Sequence, residues 1–393
     1  MIGRRAIRLA ALAGLFLLGG PGCLPAMAGE GFAATSQLER HWTSNALDGS
    51  RAIADWYSLL RGSLEWQSGD QDANARLEAT FQATRYDTVS IEDDRTLTLS
   101  AQAFRRLPSG VELKGTLTYR ASSEGDDLDI GPLVLGTRTA RQMVAAGGQI
   151  GIDLGNAATL VLEASDSFEK VGQTRFQQDL LAPARLDPDR NRLQFGARLT
   201  KTIGPRAFAA SGSALRISVG DLGNPPVALS LTHYALRGEF TYTGADGSTL
   251  AVAIGGEFLR DDGGLYHALR PAWQAGVTRK LMPGLELRGA YFGRFETVDS
   301  DDPLASWLRR AELELAATLR EGLVFSTGVF TETKENLLFE NVERKRGLYA
   351  EMACAATRTT AIVLRLDFSR TFKTLIDERK RALDTFIGFR TRI

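Results

Sequence analysis

The sequence predicts an all-β protein, a transmembrane antiparallel up-and-down β-barrel of about 18 strands. Three observations carry this prediction. Many segments alternate apolar with polar or small residues over about 8 to 12 positions, the length that a tilted strand needs to cross a bilayer. The connections between these segments alternate between short and long. The chain also begins with a pattern typical of exported proteins.

The N-terminal segment has the composition of a removable export signal. Three arginines among the first eight residues precede the apolar run Leu9–Leu18, and the small-residue sequence Ala26-Met27-Ala28 follows. This order predicts cleavage after Ala28, so residues 1–28 are expected to form a signal peptide and residues 29–393 the barrel domain. The apolar run is shorter than the about 20 residues of a transmembrane helix.

Cysteine content and charge limit the alternatives. Lipidation at Cys23 is a competing interpretation, but Gly20 occupies the position where lipoprotein signals usually carry a Leu-like residue, so cleavage is favoured. Cleavage leaves Cys354 as the single cysteine, and no intramolecular disulfide is expected. The 47 basic residues balance 47 acidic ones, which disfavours a nucleic-acid partner.

Alternation with a period of two marks the strands. Within residues 113–119 the odd positions are Leu, Gly, Leu and Tyr, whereas the even positions are Lys, Thr and Thr. The pattern returns in residues 192–200, 236–242, 250–258, 285–295, 348–354 and 362–368. A soluble β-sandwich also alternates, but its strands are usually about 5 to 6 residues long. The longer strands therefore favour a barrel in a membrane.

The connections follow an asymmetric rule that a sandwich has no reason to obey. Short turns are predicted at Leu107–Gly110, Gly155–Ala157, Gly204–Arg206, Gly244–Ser248, Met282–Gly284, Arg320–Gly322 and Thr357–Thr360. Longer polar connections are predicted over Ala121–Thr139, Glu169–Arg190, Gly220–Ser230, Asp261–Tyr266, Val298–Ala305, Thr331–Lys345 and Lys373–Arg381. Short periplasmic turns alternating with longer outside loops are the arrangement of bacterial outer-membrane barrels.

The strand count depends on the N-terminal end of the mature chain. From Leu59 onward seventeen strands can be marked, the last over Asp384–Ile393, and bacterial barrels close with an even number. The parity of long and short connections requires an ascending strand before them. Gln37–Thr43 supplies it, with Ser44–Ser50 as the first outer loop, and gives eighteen strands. Sixteen is the alternative, because the pattern in Gln37–Thr43 is weak.

The two ends of the mature chain resemble known barrels. Ile387, Phe389, Thr391 and Ile393 share one face of the last strand, which resembles the C-terminal signal read by the barrel-insertion machinery, although that signal usually ends in Phe. The layout resembles porin-like outer-membrane barrels of Gram-negative bacteria. Thr43-Ser44-Asn45-Ala46-Leu47 resembles more narrowly the β-barrel porins associated with exopolysaccharide systems. The resemblance implies outer-membrane lipid, lipopolysaccharide and the insertion machinery as partners.

The two faces of the predicted strands have different roles. Interfacial aromatic girdles are predicted from Trp66, Tyr119, Tyr242, Trp273, Tyr291 and Trp307. The lumen-lining candidates on the opposite face are Arg120, Arg192, Arg198, Arg237, Glu239, Arg288, Glu312, Glu314, Arg365 and Asp367. Because both signs are present, the wall is expected either to orient a polar solute in a transverse field or simply to pair charges across neighbouring strands.

Catalytic and cofactor motifs are not found in the sequence. The three histidines, His41, His233 and His267, stand in no spacing motif with a nucleophile and a carboxylate, so an enzyme is not expected. No dinucleotide or phosphate-binding fingerprint is present. The acidic clusters Glu124–Asp129 and Asp299–Asp302 are interpreted as solvated surface. No cofactor and no metal are therefore predicted.

A barrel of about 16 to 18 strands is wide enough for an aqueous channel unless its loops fold inward. The sequence therefore predicts an outer-membrane channel for passive or weakly selective passage of small polar or charged solutes. Two alternatives remain open: a barrel for exopolysaccharide export, and a closed structural or adhesive barrel.

Overall fold

The fold consists of eighteen strands. The computed structural model describes residues 31–46, 52–130, 133–177, 181–222, 229–297, 304–338, 341–357, 359–374 and 378–392. The first nine strands are β1 Phe32–Thr43, β2 Asp55–Gly69, β3 Ala73–Tyr86, β4 Arg95–Arg106, β5 Glu112–Ile130, β6 Leu133–Gly155, β7 Ala158–Phe176, β8 Arg190–Ile203 and β9 Arg206–Val219. The others are β10 Leu231–Thr243, β11 Thr249–Asp261, β12 His267–Met282, β13 Leu285–Glu296, β14 Ser306–Arg320, β15 Leu323–Asn336, β16 Val342–Ala355, β17 Thr360–Lys373 and β18 Glu378–Arg392.

The strands pair antiparallel in chain order, and β1 closes the sheet by pairing with both β2 and β18. Leu38 of β1 lies opposite Leu60 of β2 on one side and Phe389 of β18 on the other. Closure satisfies the backbone donors and acceptors that an open edge would leave bare in lipid. The barrel therefore has eighteen strands and not sixteen, and β1 begins before the predicted Gln37, at Phe32.

Alternation divides the sheet into an apolar and a polar face, as the sequence predicts. Leu236, Ile254 and Leu269 are 69%, 66% and 75% exposed, and they lie on one face because register partners point to the same side. The residues between them, such as Arg237, belong to the other face. Such a belt of exposed apolar side chains around a closed sheet is suited to contact with lipid.

The short turns lie where the sequence predicts them. Gly155, Asn156 and Ala157 all have positive φ values, 76°, 51° and 56°, at the connection between β6 and β7. Positive φ at both central residues is the type I′ geometry, whose twist matches that of the flanking strands. Every connection from an even-numbered to an odd-numbered strand is short, with two to five residues between the strands.

Several of the predicted long connections are shorter than expected, because strands extend into them, whereas Gly220–Ser230 lies between β9 and β10 as predicted. The segment Ala121–Thr139 is mostly strand, since β5 continues to Ile130 and β6 begins at Leu133. The predicted loops Glu169–Arg190 and Thr331–Lys345 likewise contain the ends of β7, β15 and β16. A hairpin that rises above the membrane needs no apolar outer face, so polar composition alone does not distinguish it from a loop.

A short segment between β3 and β4 supports the projecting β5–β6 hairpin. It contains a single 3-10 turn, Ser90–Glu92. The guanidinium of Arg138 donates to the carbonyl oxygens of Ile91 and Asp93. The Asp94 carboxylate accepts a hydrogen bond from the backbone N–H of Gly125 at 2.7 Å. In the described part of the chain, no helix is long and apolar enough to span a membrane.

The predicted signal peptide, Cys23 within it, the acidic cluster Asp299–Asp302 and the terminal Ile393 lie outside the described residues.

Candidate functional site

Polar contacts between strands that are not adjacent identify the polar face as the inner face. Arg198 on β8 reaches Glu239 on β10, with 2.6 Å between guanidinium nitrogen and carboxylate oxygen, and Ser211 on the intervening β9 also donates to Glu239 at 2.8 Å. The Tyr349 hydroxyl on β16 donates across β15 to the Glu314 carboxylate on β14. Side chains converge only on the concave side of a closed sheet, so this face lines the barrel interior.

All ten predicted lumen-lining residues take part in ion pairs. Three pairs join members of the predicted set: Arg198 with Glu239, Arg288 with Glu314 at 2.9 Å, and Arg365 with Asp367 at 2.8 Å. The remaining members pair with other residues: Arg120 with Glu124, Arg192 with Glu169, Arg237 with Glu257, and Glu312 with Arg310. Charge pairing between strands, one of the two expectations, is thus present in four of these pairs, and the other three lie within a strand. A role of these residues in solute passage stays a prediction.

A polar ladder runs along one side of the wall, from Arg288 through Glu314 and Tyr349 to Arg365. The Arg365 guanidinium lies 4.9 Å from the centre of the Tyr349 ring, and its charge is shared between Asp367 and Glu351. A glycine makes this possible, because a Cβ at Gly328 on β15 would lie 2.5 Å from the Tyr349 ring. The ring therefore crosses β15 directly over the backbone of Gly328.

The upper ends of β13 and β14 leave the wall. Pairing between β12 and β13 stops at Trp273 and Gly293, whereas β13 and β14 remain paired up to Glu296 and Ser306. On its other side, β12 stays paired with β11 up to His267. We name residues 294–297 and 304–308 the β13–β14 tip. Beyond Trp273 and Gly293, the described parts of β12 and the tip are therefore not joined by backbone pairing.

The tip packs against the inner face of β9, β10 and β11. Phe295, Leu304, Ala305 and Trp307 form a buried apolar cluster with residues of that wall and with the end of β15. The partners contributed by the rest of the barrel are Ile217, Leu231, Leu259 and Leu337. Ile217 and Leu231 are register partners on the polar face, and Leu259 lies in the next row of that face, opposite His233, so the tip is folded over the interior of the barrel.

Two polar contacts fasten the tip. Glu257 on β11 is 1% exposed, accepts the backbone N–H of Phe295 at 2.7 Å and is paired with Arg237. Arg270 on β12 binds both carboxylate oxygens of Glu335 at 2.9 and 2.7 Å, with its guanidinium 5.4 Å from the centre of the Trp307 ring. A bidentate pair of this kind fixes both position and orientation.

The tip corrects one prediction from the sequence. Trp307 was expected in an interfacial girdle, but it is 4% exposed and packs edge-on against Phe295, with 4.9 Å between ring centroids. Trp273 also lies against this cluster. Strict alternation would place both tryptophans outward; the departure of β13 from β12 reverses that direction locally. No period in the sequence signals the departure.

The three histidines occupy different places. His41 on β1 lies between two carboxylates: its Nδ1 is 3.1 Å from Asp384 on β18, and its Nε2 is 2.7 Å from Glu39. Tyr57 on β2 donates to Asp384 at 2.9 Å, so the cluster joins the three strands at the closure of the barrel. It lies on the inner face, on the wall opposite the tip. Sequence reasoning placed His41 only near the N-terminus.

The other two histidines lie near the long-connection end, as predicted. His233 packs edge-on against Phe295 of the tip, and its Nε2 is 3.3 Å from Glu257. His267 is exposed and begins β12. Within the described ranges, no group of three or more His, Cys, Asp or Glu side chains is arranged to hold a metal ion. Glu124, predicted in an acidic loop, instead lies in β5.

The fold is similar to that of solved outer-membrane barrels. The copper transporter OprC is 11% identical, with a TM-score of 0.57 over 94% of this chain and 82% of that chain. OccK2 (OpdF) of Pseudomonas aeruginosa, in complex with glucuronate, is 11% identical, with a TM-score of 0.51 over 92% and 98%. OpdL of the same species is 11% identical, with a TM-score of 0.50 over 92% and 98%. Identity at this level establishes a shared fold alone.

Sequence comparisons add no closer relationship: no protein-family model matches the chain, and no curated protein matches it. The closed eighteen-stranded barrel with its apolar belt is the architecture with which bacterial proteins span the outer membrane. The chain accordingly has the fold of an outer-membrane β-barrel.

Proposed function

We propose that the barrel is a passive channel for small polar or charged solutes, narrowed near its outer mouth by the β13–β14 tip. The observation that carries this proposal is the ion-paired inner wall. Charged residues of both signs line strands from β2 to β18, and their pairing leaves a polar surface without large uncompensated charge. Such a wall is compatible with water and with polar solutes.

The width of the barrel supports passage. Strands spaced about 4.8 Å apart and tilted by about 40° give an eighteen-stranded barrel a backbone radius of about 18 Å. Inward side chains reduce this radius but do not fill it, since barrels of about 16 to 18 strands leave an aqueous channel. The tip covers one wall, that of β9 to β11, and reduces the width there.

The arrangement of charges favours solutes that carry both hydroxyl groups and charge. The polar ladder presents the Arg288 and Arg365 guanidiniums beside the carboxylates that pair with them, and the wall around β1 presents the Glu39 and Asp384 carboxylates beside His41. Both walls therefore offer charged hydrogen-bond donors and acceptors to a polar solute. Sugar acids have this chemistry, and the similar barrel of OccK2 was solved with glucuronate. We therefore extend the proposal to small sugar acids.

Liposome swelling tests the proposal. The purified full-length barrel, reconstituted into multilamellar vesicles, is exposed to isosmotic glucuronate, glucose and a long dextran. We expect fast swelling in glucuronate and in glucose and none in dextran. Swelling in dextran as well would favour the exopolysaccharide-export alternative. No swelling in any of the three would contradict the channel and favour the closed structural barrel.

A further inference from the structure

Five exposed arginines stand together on the outward face of β16, β17 and β18. We name them the arginine patch: Arg344, Arg346, Arg370, Arg379 and Arg381. Arg346 lies directly opposite Arg370, and Arg370 directly opposite Arg381. The next outward row, towards the long connections, consists of Arg344, Phe372 and Arg379. The patch is therefore at the outer end of the barrel.

The charges of the patch are not compensated within the part of the chain that the structure describes. None of the five guanidiniums forms an ion pair with a described carboxylate; Arg370 lies 5.3 Å from the Phe368 ring centre and Arg379 lies 5.7 Å from that of Phe372. Like charges directly opposite on neighbouring strands destabilise a sheet. The arrangement is unfavourable unless anions outside the described residues neutralise it.

Strands β9 to β11 have a comparable outward row of two arginines, and one of the two has an ion-pair partner. Arg216 on β9 and Arg260 on β11 flank Thr232 on β10, also facing outward near the long connections. Arg216 is paired with Asp262 at 3.1 Å. An unpaired cluster is thus a local feature of β16 to β18 and not a general property of the rim.

The patch lies at the boundary of the apolar belt. The row directly below Arg346, Arg370 and Arg381 consists of Leu348, Phe368 and Leu383, which are register partners. All three strands change from apolar to basic at the same level. Guanidinium groups two residues beyond the hydrocarbon edge lie at the level of lipid headgroups.

We propose that the arginine patch binds phosphate groups of lipids in the outer leaflet of the membrane. Arginine forms bidentate, charge-assisted hydrogen bonds with phosphate oxygens, and several phosphates are needed to neutralise five charges. The apolar row beneath the patch accommodates the acyl chains of the same lipid molecule. This combination favours a phosphorylated lipid over a soluble anion. The proposal is independent of solute passage, since the patch faces away from the lumen.

Binding of phosphorylated lipid A to the full chain in detergent micelles tests the proposal. The comparison uses bisphosphorylated lipid A, dephosphorylated lipid A and inorganic phosphate as probes. The test variant carries Arg346→Gln, Arg370→Gln and Arg381→Gln, and the control variant carries Arg216→Gln and Arg260→Gln. A basic residue near an anionic surface contributes about fivefold to affinity, so we expect about 100-fold weaker binding in the test variant. The control should bind within about threefold of the wild type.

Three results would overturn the proposal. Unchanged affinity in the test variant would show that the patch is not part of the binding site. Equal binding of dephosphorylated lipid A would show that phosphate is not required. Equal binding of inorganic phosphate would show that the lipid is not required. If the test variant does not fold, the comparison of the three probes on the wild-type barrel still decides the question.

Discussion

Glu257 is the least exposed charged residue of the described chain, at 1%. Its carboxylate is almost fully buried and depends on Arg237, the Phe295 N–H and the neighbouring His233. Removing one partner of a buried ion pair leaves an uncompensated charge, which costs far more than the loss of an exposed pair. The ion pairs of the inner wall therefore differ widely in how much they contribute to the free energy of unfolding.

Arg237→Ala should lower the free energy of unfolding by about 3 kcal/mol, because Glu257 loses its cationic partner in a buried site. Arg198→Ala is the matched control: Arg198 is 51% exposed and its partner Glu239 keeps the Ser211 hydroxyl, so the expected loss is about 0 to 1 kcal/mol. Urea titration of the reconstituted barrel measures both. Equal losses in the two variants would show that burial does not determine how much an ion pair contributes to the free energy of unfolding.

At the residue scale, alternation predicted the polar-face charges, since a period of two assigns each residue to a face without knowledge of its partners. It did not predict which charge pairs with which. Arg198 and Glu239 pair across β9, and their contact depends on barrel curvature, which no pattern in the sequence encodes. Glu257 belonged to the predicted face, but its burial comes from the tip that lies above it.

Among the elements, the segment between β3 and β4 docks against the β5–β6 hairpin through Asp94, and the negative charge of this buried carboxyl group opposes the docking. Burial raises the pKa of Asp94 above its ordinary value, while the Gly125 N–H and the Arg138 charge oppose this shift. A carboxyl group with a raised pKa binds its proton more tightly in the docked state. Docking stability is therefore fully present below the ordinary pKa of 3.8 and decreases as pH rises through the raised value.

Hydrogen exchange of the Ser90–Glu92 turn measures this dependence. In the wild type, exchange protection relative to intrinsic rates should decrease between pH 4 and pH 7, whereas Asp94→Asn should keep its protection across this range. Asp87→Asn is the control, because Asp87 is exposed in the same connection and pairs with Arg40. A pH response that persists in Asp94→Asn would assign it to another group.

Strands and short turns could be predicted from the sequence because their physical causes are local. Alternation marks faces, and Gly, Pro and Asn mark tight turns such as Gly155–Ala157. The β5–β6 hairpin and the β13–β14 tip could not be predicted in the same way. The hairpin has the polar composition of a loop, and the tip depends on apolar contacts with Ile217 and Leu231, residues distant in the sequence.

For the whole molecule, the requirement for an even number of strands determined the strand count where the residue pattern of the individual strands did not. Gln37–Thr43 alternates weakly, but an even number of strands and the alternation of long and short connections required it. The structure explains the weak pattern: Arg40 occupies the outward position between Leu38 and Trp42 and pairs with Asp87. On the inner face, Glu39 and His41 belong to the closure cluster with Asp384.

The central claim is that the barrel is an open channel whose mouth is narrowed by the β13–β14 tip. Single-channel conductance in a planar bilayer tests it most directly, with Trp307→Ala to weaken the tip and Tyr242→Ala, at the short-turn end of the lipid-facing surface of β10, as the control. Removing a buried Trp side chain costs about 3 to 5 kcal/mol of packing, enough to release the tip.

We predict stable open steps in the wild type, a larger conductance in Trp307→Ala and an unchanged conductance in Tyr242→Ala. The absence of open steps from wild-type barrel whose folding is verified by heat-modifiable electrophoretic mobility would contradict the account.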